Sequence, residues 1–253
     1  MNASKKTIHF SAVASVIFLI FTYFITVNVE TNFITVDSPW ISNSFLLTFF
    51  GGAFASMVVV LLCEISEYMQ AKQNAETYLF SHLYYLYGQL QVIAKNINWL
   101  QTQEPCFIHE DSLKELIANA TAEMNAIFFA EYSPFCKQNK VLQEKKKYNS
   151  EVYFSVQRFL QDCRMLNIAI LKDKLETKKC QMAGCQCKPE NASNVLHRLS
   201  ELTDAPTNSI DSMINRIDDA CRGKYNWGKM KADFLQRIPD NRNDALECFL
   251  AQK

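Results

Sequence analysis

The chain has 253 residues, enough for one large domain or two modest ones, and its 26 Lys and Arg balance 26 Asp and Glu. A neutral total supplies no field that would gather nucleic acid, so no nucleic-acid partner is expected. With only six Gly and six Pro, a turn-rich β-sandwich or barrel is excluded and an all-α fold is expected.

The charge is unevenly spread. Residues 1–63 hold only Lys5, Lys6, Glu30 and Asp37. Within that stretch, residues 10–29 and 40–63 carry no charge, and each run is long enough to cross a hydrocarbon core of roughly 30 Å as a helix. Two such runs in succession predict a retained transmembrane hairpin rather than a secretory signal, with the lipid bilayer as its partner. Lys5 and Lys6 before the first run, Lys72 after the second, and a linker (30–39) without Lys or Arg place both termini in the cytoplasm of an integral membrane protein. Gly51 and Ala55, and Gly52 and Ser56, are small residues four apart that allow close helix approach. Packing within the hairpin is their plain reading, and contact between protomers is the other. Neither span carries an ionisable residue, which argues against a proton relay or ion pathway.

After Cys63 the second span is expected to run on into water without a break. Leu79, Leu83, Leu86, Leu90, Ile93, Ile97 and Leu100 recur at alternating spacings of four and three, the seam of a helix packed lengthwise on a partner. The same spacing recurs at Leu113, Ile117, Ala120, Met124 and Ile127, in a helix beginning near Asp111 or Ser112. It recurs again at Val152, Val156, Phe159, Cys163, Leu166 and Ile170, in a helix over 150–179. Three narrow stripes bury one another most simply in a helical bundle. Shorter helices are expected over 193–203, 208–222, 227–237 and 241–251. The chain thus reads as a hairpin (1–63), a long-helix bundle (64–180), and a cysteine-containing loop with shorter helices (181–253). The seam residues Leu79, Leu83, Leu86, Leu90 and Ile93 are candidates for packing or for homo-oligomer contact.

Nine cysteines occur. In a cytoplasmic domain they stay reduced, and Cys163 and Cys221 read as small core residues. Cys180, Cys185 and Cys187 read most plainly as three thiols in a loop. With His197 they offer four soft ligands for zinc, although C-x4-C-x-C matches no common finger. Cys106, His109 and Cys136 form a second partial set.

No phosphate-binding glycine loop, dinucleotide fingerprint, metalloprotease helix or nucleophile elbow is present. No Arg precedes a His by four to six residues, so the catalytic motif of helical HEPN ribonucleases is missing. The aromatic run Tyr78–Tyr87 has no Lys or Arg among its rings, so Tyr84, Tyr85 and Tyr87 are expected to line helix interfaces or a groove for a ligand or protein partner. The runs 144–149 and 172–179 read as solvated helix faces. The sequence therefore predicts a non-enzymatic two-pass membrane protein with a cytoplasmic oligomerisation or recognition domain. The alternatives are a pore-forming effector and a membrane-tethered zinc enzyme.

Overall fold

The computed structural model describes residues 5–31, 43–102, 110–130, 139–185 and 190–237, which are helical with no strand among them. In chain order these are α1 (Lys5–Thr31), α2 (Asn43–Thr102), α3 (Glu110–Phe129), α4 (Lys140–Met182), α5 (Asn191–Ser200), α6 (Asp204–Ala220) and α7 (Trp227–Arg237). The chain divides into two compact units. One holds α1 and α2 up to Ala75; the other holds α2 from Glu76 together with α3 to α7.

In the first unit the first expected apolar run lies inside α1, and the second, from residue 43 onward, forms the first part of α2, its residues 40–42 lying outside the described residues. Thr7–Val27 and a stretch within Ser44–Asn98 are long and apolar enough to cross a membrane. Several polar residues in these runs are satisfied by their own helix. Thr22 and Thr26 donate to the carbonyls of Phe18 and Thr22 at 2.8 Å, and Thr48 to that of Ser44 at 2.9 Å. The two helices meet in opposite directions. The Phe18 and Phe21 rings sit 6.1 and 5.4 Å from Phe50, while the earlier Ser11 reaches the later Glu64, donating its hydroxyl to Oε2 at 3.0 Å.

In the second unit the α2 seam is the centre of the core: Leu79, Leu83, Leu86, Leu90, Ile93 and Ile97 are each 0% exposed. The predicted stripes of α3 and α4 are buried as well. Helix α4 packs against α3, α5 and α6, and α6 against α7. It begins at Lys140, ten residues before the expected start, because the charged run 144–149 contains no helix breaker and continues the helix towards its N-terminus. Helix α6 likewise starts four residues early, since Pro206 falls in its first turn, where the missing amide donor would have had no intrahelical partner. The expected helix over 241–251 lies outside the described residues.

Two helix starts are held by carboxylates from elsewhere in the fold. Asp173 of α4 accepts from the backbone amides of Asn191 and Ala192 at 3.3 and 2.8 Å, capping α5 where no local side chain does so. Asp218, near the end of α6, accepts from the amides of Tyr225 and Trp227 at 2.9 and 2.8 Å, and so fixes the start of α7. The chain turns back between them through left-handed backbone at Arg222, Gly223 and Asn226 (φ 62°, 69° and 48°).

Candidate functional site

The densest chemistry surrounds Trp227. Its indole is 1% exposed and lies edge-on to Tyr87 (5.0 Å), Tyr84 (6.2 Å) and Phe80 (6.3 Å) of α2. Phe234, two turns along α7, meets Tyr84 and Tyr87 at 5.7 and 6.2 Å. Tyr225 stacks on Phe80 at 3.9 Å. Asp211 of α6 closes the polar side, accepting from Trp227 Nε1 and from Lys231 Nζ, each at 2.7 Å. Burial works to lower the Lys231 ammonium, but the Asp211 hydrogen bond and the neighbouring charges outweigh it and hold its pKa above the ordinary value. Burial raises the phenols of Tyr84 and Tyr87. Of the three tyrosines proposed from sequence, Tyr87 is thus sealed in the cluster, Tyr84 lines it, and Tyr85 is 37% exposed and touches Tyr84. The cluster joins α7 to α2.

A second polar pair spans α2 and α3. His82 Nδ1 meets Glu123 Oε2 in a short contact, with Tyr78 edge-on to the imidazole at 4.1 Å. Both side chains are mostly screened, at 25% and 18% exposed. Replacing Glu123→Gln is expected to cost about 0.5–1.5 kcal/mol, and His82→Phe should abolish that sensitivity. Urea unfolding of the two single variants and the double variant measures the coupling; additive costs would show that the pair carries none.

Between the first turns of α4 and the end of α6 lies an open cleft of about 540 Å³, lined by Lys140, Gln143, Glu144, Arg216, Asp219 and Ala220. One oxygen of Glu144 accepts from Lys147 Nζ in an ion pair (2.7 Å), and its other oxygen is shielded from water without a partner among the described residues. Lys145, next along the chain, is only 7% exposed, and burial lowers its pKa to about 8. This corrects the expectation that the whole basic run is a solvated face; Lys146 and Lys147 are solvated, and Lys145 is not.

The cysteine cluster also differs from its plain reading. Cys180 is disulfide-bonded, whereas Cys185 is free and exposed. Cys187 lies outside the described residues, as do Cys106, His109 and Cys136 of the second set. His197 stands on the surface of α5, 80% exposed and 3.8 Å from Glu201. A sulfur engaged in a disulfide is not a thiolate ligand, and among the described residues no three His, Cys, Asp or Glu gather to hold a metal ion. Cys163 is sealed in the α4 core, where burial and the neighbouring Asp162 raise its thiol pKa far above the ordinary value. It is inert packing, as its place on the stripe implied.

The seam residues Leu79, Leu83, Leu86, Leu90 and Ile93 are wholly enclosed within one chain, so they pack its core and present nothing to a second copy. The small residues behave in the opposite way. A Cβ added at Gly51 or Gly52 would meet no atom within 4 Å, and Ala55 and Ser56 are exposed, so this face is open rather than filled from within the chain. Glu64 escaped the sequence reading. It sits one residue beyond the second apolar run, is 4% exposed and accepts its hydrogen bond from Ser11. The Asn119 amide nitrogen is shielded from solvent, and that of Asn191 donates to Asp173 at 2.7 Å. No family model matches this chain, and neither a curated protein nor a solved structure matches it.

Proposed function

We propose that this is a two-pass membrane protein whose remaining helices form a bundle for recognition of a protein partner or small ligand and for self-assembly, without catalysis of its own. The observation that carries the membrane reading is the exposure of large apolar side chains all around α1 and the first part of α2. Phe10 is 71% exposed, Tyr23 66%, Phe24 65% and Leu62 61%, and within the most apolar stretch of α2 nothing is buried. A helix apolar on every side is stable only where its surroundings are apolar too, and two neighbouring helices cannot cover each other completely. With all backbone amides paired inside each helix, lipid satisfies both requirements.

A hairpin keeps both termini on one side. Lys5 and Lys6 favour the cytoplasm for them, while the Cys180 disulfide belongs to an oxidising compartment. Alkaline carbonate is expected to leave the full chain in the membrane pellet, and release into the supernatant would overturn the membrane reading. In the same preparation, exposed Cys185 reports the side: an impermeant maleimide labels it in intact cells if the second unit faces outward, and only after permeabilisation if it faces the cytoplasm.

A second reading, in which assembled hairpins form a pore, draws on the open face at Gly51, Gly52, Ala55 and Ser56. Dye release from vesicles carrying the reconstituted protein supports it, and intact vesicles at every protein density reject it.

A further inference from the structure

The outer face of α4 carries an apolar stripe that no described element covers. Met165, Ile168, Leu171, Leu175 and Met182 follow helical spacings of three, three, four and seven, and they are 45–90% exposed. They share one side of the helix, opposite the buried Val156, Phe159, Cys163 and Ile170. Together they leave on the order of 500 Å² of apolar surface in water, at the upper end of what a monomeric protein shows in one patch.

Charge decides what suits this face. Lys172 and Lys179 project among the apolar residues, with Lys178 at the edge and all three exposed. The nearby acids are engaged: Asp162 accepts from Arg198 at 3.0 Å, and Glu176 lies 3.9 Å from Lys172. Two copies of the stripe laid together in parallel would bring Lys172 and Lys179 each against its own counterpart. An acyl–headgroup boundary with negative charge satisfies both components at once, taking the apolar side chains below and the ammonium groups at the phosphates. We propose that the 165–182 face of α4 lies on an anionic lipid surface. The proposal rests on the membrane reading only in that the chain is held at a bilayer; the contact itself is carried by this stripe.

The test uses the full chain in nanodiscs of phosphatidylcholine alone or with phosphatidylserine. The photo-crosslinking residue p-benzoylphenylalanine is placed at Leu175, or at Glu151 on the same helix as a solvent-facing control. Lipid adducts at position 175 are expected to rise several-fold with phosphatidylserine and to stay at background at 151. The exposed pair Lys178→Glu and Lys179→Glu should reduce the adduct by at least tenfold, at about fivefold per lysine before reversal of sign is counted. Circular dichroism checks that this variant keeps its helices. A crosslinked dimer would overturn the proposal in favour of a second copy, and a crosslink to residues 238–253 in favour of the chain's own C-terminal segment. Equal adducts in both lipids would overturn the role of charge. Failure to enter nanodiscs would instead reject the membrane reading.

Discussion

Trp227→Ala is expected to destabilise the second unit by about 3–5 kcal/mol, the largest effect of any single substitution considered. The indole is 1% exposed and touches three α2 rings, so its removal leaves a cavity lined by Phe80, Tyr84 and Tyr87 that cannot easily collapse. Its Nε1 also holds Asp211, which binds Lys231 on the next turn of α7. Truncation therefore removes packing and leaves a screened carboxylate with one partner fewer. Trp227→Phe keeps most of the volume but loses the donor, and is expected to cost about 1–2 kcal/mol. Asp218→Ala attacks the same helix from its start. It leaves the amides of Tyr225 and Trp227 without their acceptor, at a cost of about 2–3 kcal/mol on its own. Because both changes act on the seating of α7, their effects should not add. Thermal melts in mild detergent, followed by tryptophan emission for Asp218→Ala and by circular dichroism for Trp227→Ala, measure each cost. A Trp227→Ala loss below about 1 kcal/mol would mean that α7 is a surface appendage.

The parts of this fold that were legible in the sequence are those governed by period. Leu79 to Ile97 announced a buried seam because a helix with apolar residues every three and four positions has one face to bury, and these side chains are among the most enclosed of the described residues. Composition alone marked the apolar helices. Contacts set by tertiary geometry gave no local sign. Asp173 and Asp218 look like ordinary surface acids, yet each caps a helix that begins many residues later, an acceptor role invisible to rules that search for caps beside the helix start. Trp227 stands at the start of a short amphipathic helix, and nothing nearby predicts that its partners lie on α2. The exposed stripe on α4 was hidden by the stronger buried one: both repeat along the same 43-residue helix, and a search that stops at the first apolar seam never reaches the second. The charge-rich run at Glu144–Asn149 misled because exposure was inferred from residue type, while α4 carries its period straight through Lys145.

Lys145→Met is expected to stabilise the second unit at pH 7 by about 1–3 kcal/mol, a gain rather than the usual loss. The side chain is 7% exposed on the buried side of α4, and burial lowers its pKa from 10.5 to about 8. At pH 7 the folded state must therefore hold an ammonium ion where it is poorly solvated, and that gap corresponds to about 3 kcal/mol at most. The sign follows from proton counting. Below pH 8 folded and unfolded chains both carry the proton, and the penalty is present in full. Between pH 8 and 10.5 the folded chain releases it first, so the penalty fades as pH rises and is gone above 10.5. Methionine has no such dependence and fills a similar volume. The advantage of Lys145→Met over the parent should accordingly be largest near pH 7 and shrink towards pH 10, whereas Lys145→Arg, which stays charged throughout, should be no more stable than the parent at pH 7 and should fall behind it as pH rises. Urea unfolding of all three proteins at both pH values reads this directly. An unchanged difference between methionine and lysine from pH 7 to 10 would show that Lys145 titrates like a solvated amine and that its ammonium reaches water.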